Sequence, residues 1–421
     1  MNRTSPPSLF DLAKMNLLQN EMLTIEALQS LPREIFLPLF ISAVEKEQSH
    51  ISALDGLDGL LAKNIRTRRW KLKVLDLSNK WNVGDSRIRK RKKQPLAPVV
   101  VITNLCLMED FPDKIFTFLR NRVKQKKCLP HLCCEKLNIA QMSLESIKEI
   151  LKTVQLDYVQ EVGVNCTWEL PMLARFASFL GQMVNLSKFH LSHNRMISCI
   201  SQEARGILIA TITSQFVKLN QLQELHLKSV LFLEGFLHQL LRSLKTPLKT
   251  LWIINCALSI SDLTYFSLCP STNYLRKLCL NDVKLTDLHP ECLQVLLERV
   301  SGTIQHLDLD NCGVTDSQVT AILPALGHCS QLKTLCFCGN LVSMTVLENL
   351  LRHTVPLDNF TCGLFPIPLE CYLETTSPHN FRNIQRYIEN LRLILLELGR
   401  PRTILFSSTC LDCGVTEYFD P

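Results

Sequence analysis

No stretch of this 421-residue chain supplies the ~18–20 consecutive apolar residues that cross a bilayer, so no membrane partner is expected. The first residues, MNRTSPPSLFDLAKMN, have no uninterrupted apolar core of the signal-peptide kind, and the chain is expected to stay inside the cell. Glycine is scarce: 14 residues, mostly at turns, with no loop of the kind that cradles phosphate. The HExxH and G-x-S-x-G patterns are missing, as is any His and Cys pair in the context of a nucleophile. A binding protein with no catalytic residues and no cofactor is the expectation, although a fold alone excludes no activity.

Hydrophobic residues make up 46% of the chain and charged residues 20%, enough for a large core. The 18 cysteines are scattered, which in a reducing compartment reads as small buried hydrophobes. CLDC near the C-terminus offers only Cys410 and Cys413, and HLCC (131–134) lacks the spacing of a second pair. A structural zinc takes four ligands, so no metal is expected.

Charge is unevenly spread. Residues 63–93 hold 13 Lys and Arg against Asp76 and Asp85, so the remainder of a chain of net +7 is mildly acidic. RNRVKQKK (120–127) adds a second basic run. Arg87, Arg89, Lys90, Arg91, Lys92 and Lys93 resemble a nuclear-localisation or polyanion-binding patch. They lie among Gly and Pro in what reads as a flexible insertion at about 80–97, and a solvated loop explains them equally well. No aromatic interleaving or zinc-finger spacing accompanies them, so specific nucleic-acid readout is not expected.

The chain repeats itself. LSKFHLSHN (186–194), LQELHLKSV (222–230), LKTLWIINC (248–256), LRKLCLNDV (275–283), IQHLDLDNC (304–312) and LKTLCFCGN (332–340) share apolar-x-x-apolar-x-apolar. Weaker copies lie at 72–80, 134–142 and 159–167, and LDNFTCGLF (357–365) extends the series. Helices are expected between them at 286–300, 315–329 and 343–353, the first two opening on Thr-Asp as N-caps. The expected fold is α/β: a leucine-rich-repeat horseshoe, a right-handed solenoid with a concave parallel sheet and an N-terminal helical cap. The domains read as a cap at 1–70, repeats at 71–400 and a tail at 401–421.

Alternation within each strand points the fourth and sixth positions inward and the third, fifth and seventh to the concave face. That face would present Lys188, His190, Glu224, His226, Trp252, Lys277, His306 and Asp308 to a client protein. Trp252 is either an exposed anchor of the kind found at interface hot spots or a ring covered by a loop. Three Leu-x-x-Leu-Leu segments (237–241, 293–297, 347–351) match a coactivator docking pattern, but helical periodicity assigns their leucines to the core. SLPREIFLPLF (30–40) concentrates apolar surface before the repeats. Phe36, Leu39 and Phe40 suit a cap on the open core, while Leu31, Pro32 and Ile35 would face elsewhere.

Several stretches, NCTWELPMLARFASFLGQMVNLSKFHLSH (165–193), LDGLDGLLAKNIRTRRWKLKVLDL (54–77), HLCCEKL (131–137), HCSQLKTLCFCGN (328–340) and CLDCGVTEYFDP (410–421), resemble the PRAME family (preferentially expressed antigen in melanoma). The resemblance spans the chain and is strongest to the rodent PRAME-like and oogenesin members of germ cells and early embryos. It implies a substrate-recognition subunit of a cullin–RING ubiquitin ligase that binds elongin B/C and a cullin, monomeric outside that complex. Leu17, Leu18, Met22, Leu23 and Ile25 then occupy the elongin box, with Asn16 and Met22 replacing the family's hydroxyl and small residues. Leu31, Pro32, Ile35 and Phe36 occupy the cullin box, and the same residues also resemble the start of an F-box. The resemblance further implies restraint of apoptosis, differentiation and transcription, support of proliferation, and a cytoplasmic and nuclear distribution. Its alternative is a nuclear corepressor scaffold of the retinoic-acid-receptor type, without a ligase.

Overall fold

The computed structural model describes residues 74–76, 100–108, 131–193, 201–373, 380–399, 403–409 and 416–419. The chain divides into two compact units, Met1–Tyr158 and Val159–Pro421. The sequence had suggested a break near residue 70 instead.

In the first unit, β1 (Val74–Asp76), β2 (Val100–Met108), β3 (His131–Ala140) and the short β4 (Val154–Gln155) pair in parallel. Helix α1 (Leu144–Leu151) buries Leu144, Ile147, Ile150 and Leu151, four residues at helical spacing. Strand β2 carries the same pattern at Ile102, Leu105 and Leu107, although the copies read from the sequence do not include it.

The second unit alternates strand and helix. Its strands are β5 (Glu161–Asn165), β6 (Lys188–Ser192), β7 (Glu224–Lys228), β8 (Thr250–Ile254), β9 (Lys277–Cys279), β10 (His306–Asp308), β11 (Thr334–Cys336), β12 (Cys362–Pro366) and β13 (Thr403–Thr409), all parallel to their neighbours. Strand β14 (Thr416–Phe419) runs antiparallel to β13. Residues 401–421, read from the sequence as a tail, thus include two strands of the sheet. The helices between strands are α2 (Leu170–Leu180), α3 (Gln202–Phe216), α4 (Leu237–Ser243), α5 (Ile260–Leu268), α6 (Pro290–Val300), α7 (Asp316–Gly327) and α8 (Met344–Thr354), followed by α9 (Glu370–Leu373) and α10 (Asn380–Glu397). This is the leucine-rich-repeat architecture. No described helix is long and apolar enough to cross a membrane.

From β5 to β12 each repeat buries its first, fourth and sixth residues, as Leu222, Leu225 and Leu227 or Leu332, Leu335 and Phe337 show. The leucines of all three Leu-x-x-Leu-Leu segments are buried as well, as their periodicity required. The ninth residue ties the turn. Asn340 accepts from Val314 N and donates to the carbonyls of Leu309, Phe337 and Cys338, while Cys312 Sγ donates to Leu280 O. The eighth residue holds a left-handed backbone at Gln141, Ser229, Asn255, Asp282, Asn311 and Gly339. At Gly339 a Cβ would also overlap Asn311 Oδ1.

Thr315 caps α7 as expected, with a reciprocal bond from Gln318. Thr286 does not cap α6. The helix begins only at Pro290, whose fixed φ suits the first helical position, and Thr286 Oγ1 donates to Gly313 O instead. A second correction concerns the seventh copy. Cys362 pairs with Thr334, so the counterpart of Leu332 is Phe360, not Leu357. Leu357 and Phe360 imitate the first and fourth positions of the motif three residues ahead of the register the sheet adopts. Gly363 holds the true fourth position, and the Phe365 ring fills the room its missing side chain leaves.

Polar side chains bind one repeat to the next. The fully buried Asp262 carboxylate accepts from Gly235 N (2.6 Å) and Leu237 N (3.0 Å) at the start of α4 as well as from Ser259 N (3.1 Å). Gln318 donates to the carbonyls of Leu285 and Leu288, and Arg299 donates to those of Ser267 and Cys269 at the end of α5. The Asp262 and Arg299 bonds satisfy helix ends that burial would otherwise leave unpaired, while Gln318 ties down the turn before α6.

Candidate functional site

Because the strands pair residue for residue, equivalent repeat positions line up across the second unit. The third positions run Glu161, Lys188, Glu224, Thr250, Lys277, His306, Thr334 and Cys362. The fifth positions run Gly163, His190, His226, Trp252, Cys279, Asp308, Cys336 and Leu364. Neighbours in a row are ~4.8 Å apart, close enough for side chains to touch. All eight residues assigned from the sequence to this face lie in these two rows, none of them fully buried. Thr250, in the third row, is buried.

Three rings touch along the fifth row, the first pair edge-on and the second stacked. The His190 and His226 centroids are 4.1 Å apart at 61°, and those of His226 and Trp252 are 4.5 Å apart at 22°. Trp252 remains 38% exposed, so no described segment covers it. Burial, and then the neighbouring His190, push the His226 imidazole down to about 4, against the pull of Glu224. The ring is therefore neutral at physiological pH and stacks without carrying charge. Lys188 Nζ and Glu224 Oε1 pair at 3.0 Å beside it, and His190 Nε2 lies 4.0 Å from Glu161 Oε1.

Beyond Trp252 the row changes to thiols and carboxylates. Cys279 Sγ donates to Asp308 Oδ2 at 3.2 Å, and Asp308 Oδ1 accepts from Asp310 N. Burial and the Asp308 charge push the Asp310 carboxyl up to about 7, although Cys338 N donates to its Oδ1 at 2.7 Å. Burial, followed by Asp308, also raises the Cys279 thiol to about 12. Cys336 is raised too, first by burial and then by Asp310 and Asp308. Such thiols stay protonated and are poor nucleophiles and poor metal ligands. Among the described residues no group of three or more potential ligands converges. His306 Nδ1 lies 2.8 Å from Thr334 Oγ1.

The sequence had not singled out Asp310. It sits at the seventh position, which the same alternation turns to this face, though the eight residues read as the client face stop at the fifth. The elongin-box candidates Leu17, Leu18, Met22, Leu23 and Ile25 lie outside the described residues. So do Leu31, Pro32, Ile35 and Phe36, the basic run Arg87, Arg89, Lys90, Arg91, Lys92 and Lys93, and the Cys410 and Cys413 pair. Cys133 and Cys134 of HLCC are buried in β3, and burial raises both thiols.

Comparison with known proteins gives the following. Human PRAME family member 12 is 40% identical over 467 aligned positions, covering 100% of this chain and 96% of the relative. Human PRAME family member 8 is 39% identical, covering 100% of this chain and 98% of the relative. Among solved structures, the crystal structure of the Rad7 and Elc1 complex in yeast matches with a TM-score of 0.36 at 15% identity, over 59% of this chain and 69% of that one. The PRAME C-terminal domain matches residues 99–421, and the PRAME N-terminal domain matches 6–53 and 50–83. With both domains matched and full-length relatives at this identity, the chain belongs to the PRAME family.

Proposed function

We propose that this chain holds a client protein on the solvent-facing side of its sheet and presents it to a cullin–RING ubiquitin ligase, with elongin B/C and a cullin engaged through the N-terminal segment. The observation that carries the client half is the ring column. A His190–His226–Trp252 ring column, edge-on at its first pair and stacked at its second, holds a partly exposed tryptophan as a rigid anchor at the middle of a patterned polar face. The ligase half rests on family membership and on Leu31, Pro32 and Ile35. In this reading the chain is not itself an enzyme; the ligase performs the chemistry.

Affinity purification of the full chain from germ cells tests both halves. The cullin and its adaptor are recovered with the parent chain and lost with Leu31→Ala/Pro32→Ala, while Trp252→Ala loses the client and keeps the cullin. Recovery of neither ligase subunit overturns the assignment.

The concentration of charge at 87–93 supports a second reading, a nuclear corepressor scaffold without ligase contact. Neutralising Arg87, Arg89, Lys90, Arg91, Lys92 and Lys93 then abolishes nuclear fluorescence of a tagged chain. An unchanged distribution overturns it.

A further inference from the structure

We propose that the N-terminal rim of strands β8–β11 binds an acidic peptide segment of the client, with Trp252 as its apolar anchor. This rests on the sheet face being the client face and names the chemistry of what binds there.

Four cations gather at this rim. Lys249, Arg276 and Lys333 stand at the second position of their repeats, Lys277 stands at the third, and all four are exposed. Backbone bonds hold them in one row. Arg276 N and Lys277 N donate to Lys249 O at 2.8 and 3.1 Å, Gln305 N donates to Arg276 O at 2.7 Å, and Lys333 N donates to Gln305 O at 2.8 Å. Among the described residues none of the four lies within ion-pair distance of a carboxylate, whereas Lys148, Lys152, Lys188, Lys284 and Arg352 each do. The field of the row registers on His306, whose imidazole is held down first by burial and then by Lys277 and Lys333. Like charges fixed side by side without counter-ions form a site that an anion relieves.

Dimensions favour a peptide. From Lys249 to Lys333 the row crosses three strand spacings, ~14 Å, which about four or five residues of extended chain span. Trp252 stands on β8, the strand that follows Lys249, so an apolar residue next to the acidic run reaches its exposed ring. A nucleic acid fits poorly. Asp308 and Asp310 lie further along the same face, and Glu224 and Glu161 bound it on the other side. A backbone charged at every unit meets these carboxylates, while a short acidic segment ends before them.

Fluorescence anisotropy on the full chain tests this. The background has Arg87, Arg89, Lys90, Arg91, Lys92 and Lys93 replaced by Gln, so that the other basic run does not compete. The probes are a labelled Phe-(Glu)5 peptide and a labelled oligothymidine of equal charge. The peptide binds more tightly than the oligonucleotide, and its affinity falls with salt. Lys249→Glu/Arg276→Glu/Lys333→Glu weakens it by about tenfold or more, as expected for several reversed rim charges. Lys152→Glu, at the C-cap of α1 in the other unit, leaves it unchanged. Peptide affinity indifferent to the triple reversal, or an oligonucleotide bound as tightly as the peptide, overturns the proposal. Peptide binding at the rim without cullin recovery overturns the adaptor reading alone. Client capture lost in Trp252→Ala but kept in the triple reversal overturns the acidic segment alone.

Discussion

The indole of Trp252 lies against the imidazole of His226, ring centroids 4.5 Å apart and planes 22° from parallel. One side of the indole is thereby fixed while 38% of the residue stays in water, so the ring is held before any partner arrives. Trp252→Ala is expected to weaken client binding by about 2 kcal/mol or more, the scale of an interface hot spot. Its effect on folding should be small, ~0.5–1.5 kcal/mol for the lost ring pair. Isothermal titration with a captured client and a urea melt measure the two separately.

Asp310 gives the face a pH dependence of definite sign. Its carboxyl titrates at about 7 in the folded chain against an ordinary 3.8, so between those values the folded state holds a proton that the unfolded state releases. The stability this group contributes is present below pH 4 and is lost as pH rises to 7. Asp310→Asn keeps an acceptor for Cys338 N, removes that slope and raises the urea midpoint above pH 7. A midpoint unchanged at pH 8 contradicts this.

His226 acts in the opposite direction. Its imidazole titrates at about 4 when folded against an ordinary 6.5, so the unfolded chain takes up the proton first on acidification. Its contribution is complete above pH 6.5 and is lost as pH falls to 4. Since this window overlaps that of Asp310, the parent chain shows a shallow profile there and only paired variants reveal the two slopes. His226→Phe retains a ring for the stack and unmasks the Asp310 slope, so stability should fall as pH rises from 4 to 6.5, whereas His226→Phe/Asp310→Asn should be flat there.

Asn340 is buried with four backbone partners. Asn340→Ala removes the bond to Val314 N and those to the Leu309 and Phe337 carbonyls, while Cys338 O keeps Asn311 N; it is expected to cost about 3 kcal/mol, since each buried unsatisfied group forfeits ~1–3 kcal/mol and the losses do not add fully. Hydrogen exchange should quicken first at Val314, whose N–H loses its acceptor, and around β10 and β11.

Leu251 is fully buried between strands whose equivalent residues are Leu225 and Leu278. Leu251→Ala should cost ~2–5 kcal/mol, depending on how far the repeat closes over the gap. In a solenoid the damage spreads mainly to adjacent repeats, so exchange should quicken at β7 and β9 more than at β12.

The repeats were legible because a strand of period two and a buried apolar column leave a mark in every copy. The face residues followed from the same alternation, which names a side without needing a contact. What escaped has physical reasons. Ile102, Leu105 and Leu107 carry the motif without Asn or Cys at the ninth place, so nothing marked the turn after β2. Gly363 breaks the leucine pattern, because the Phe365 ring supplies the missing volume and no sequence rule anticipates that exchange. Asp262 and Gln318 look like ordinary N-terminal helix residues, and their second role, bonding the preceding repeat, depends on which turn packs beside them. Repeat spacing likewise reveals nothing of the charge row, because Lys249, Arg276 and Lys333 are recognised as unpaired only once their surroundings are in place.

The strands keep register from β5 to β13 although the stretches between them differ in length, the longest, between β12 and β13, containing the 18 residues of α10. Length changes are absorbed behind the sheet and leave the order of rungs untouched. Inward residues answer to the core and outward residues only to whatever they meet. A gene copy can therefore replace a single rung, His226 for a lysine or Trp252 for a serine, and acquire a new binding preference while its fold stays as it was. Divergence of recognition and conservation of packing run on separate residues of the same strand.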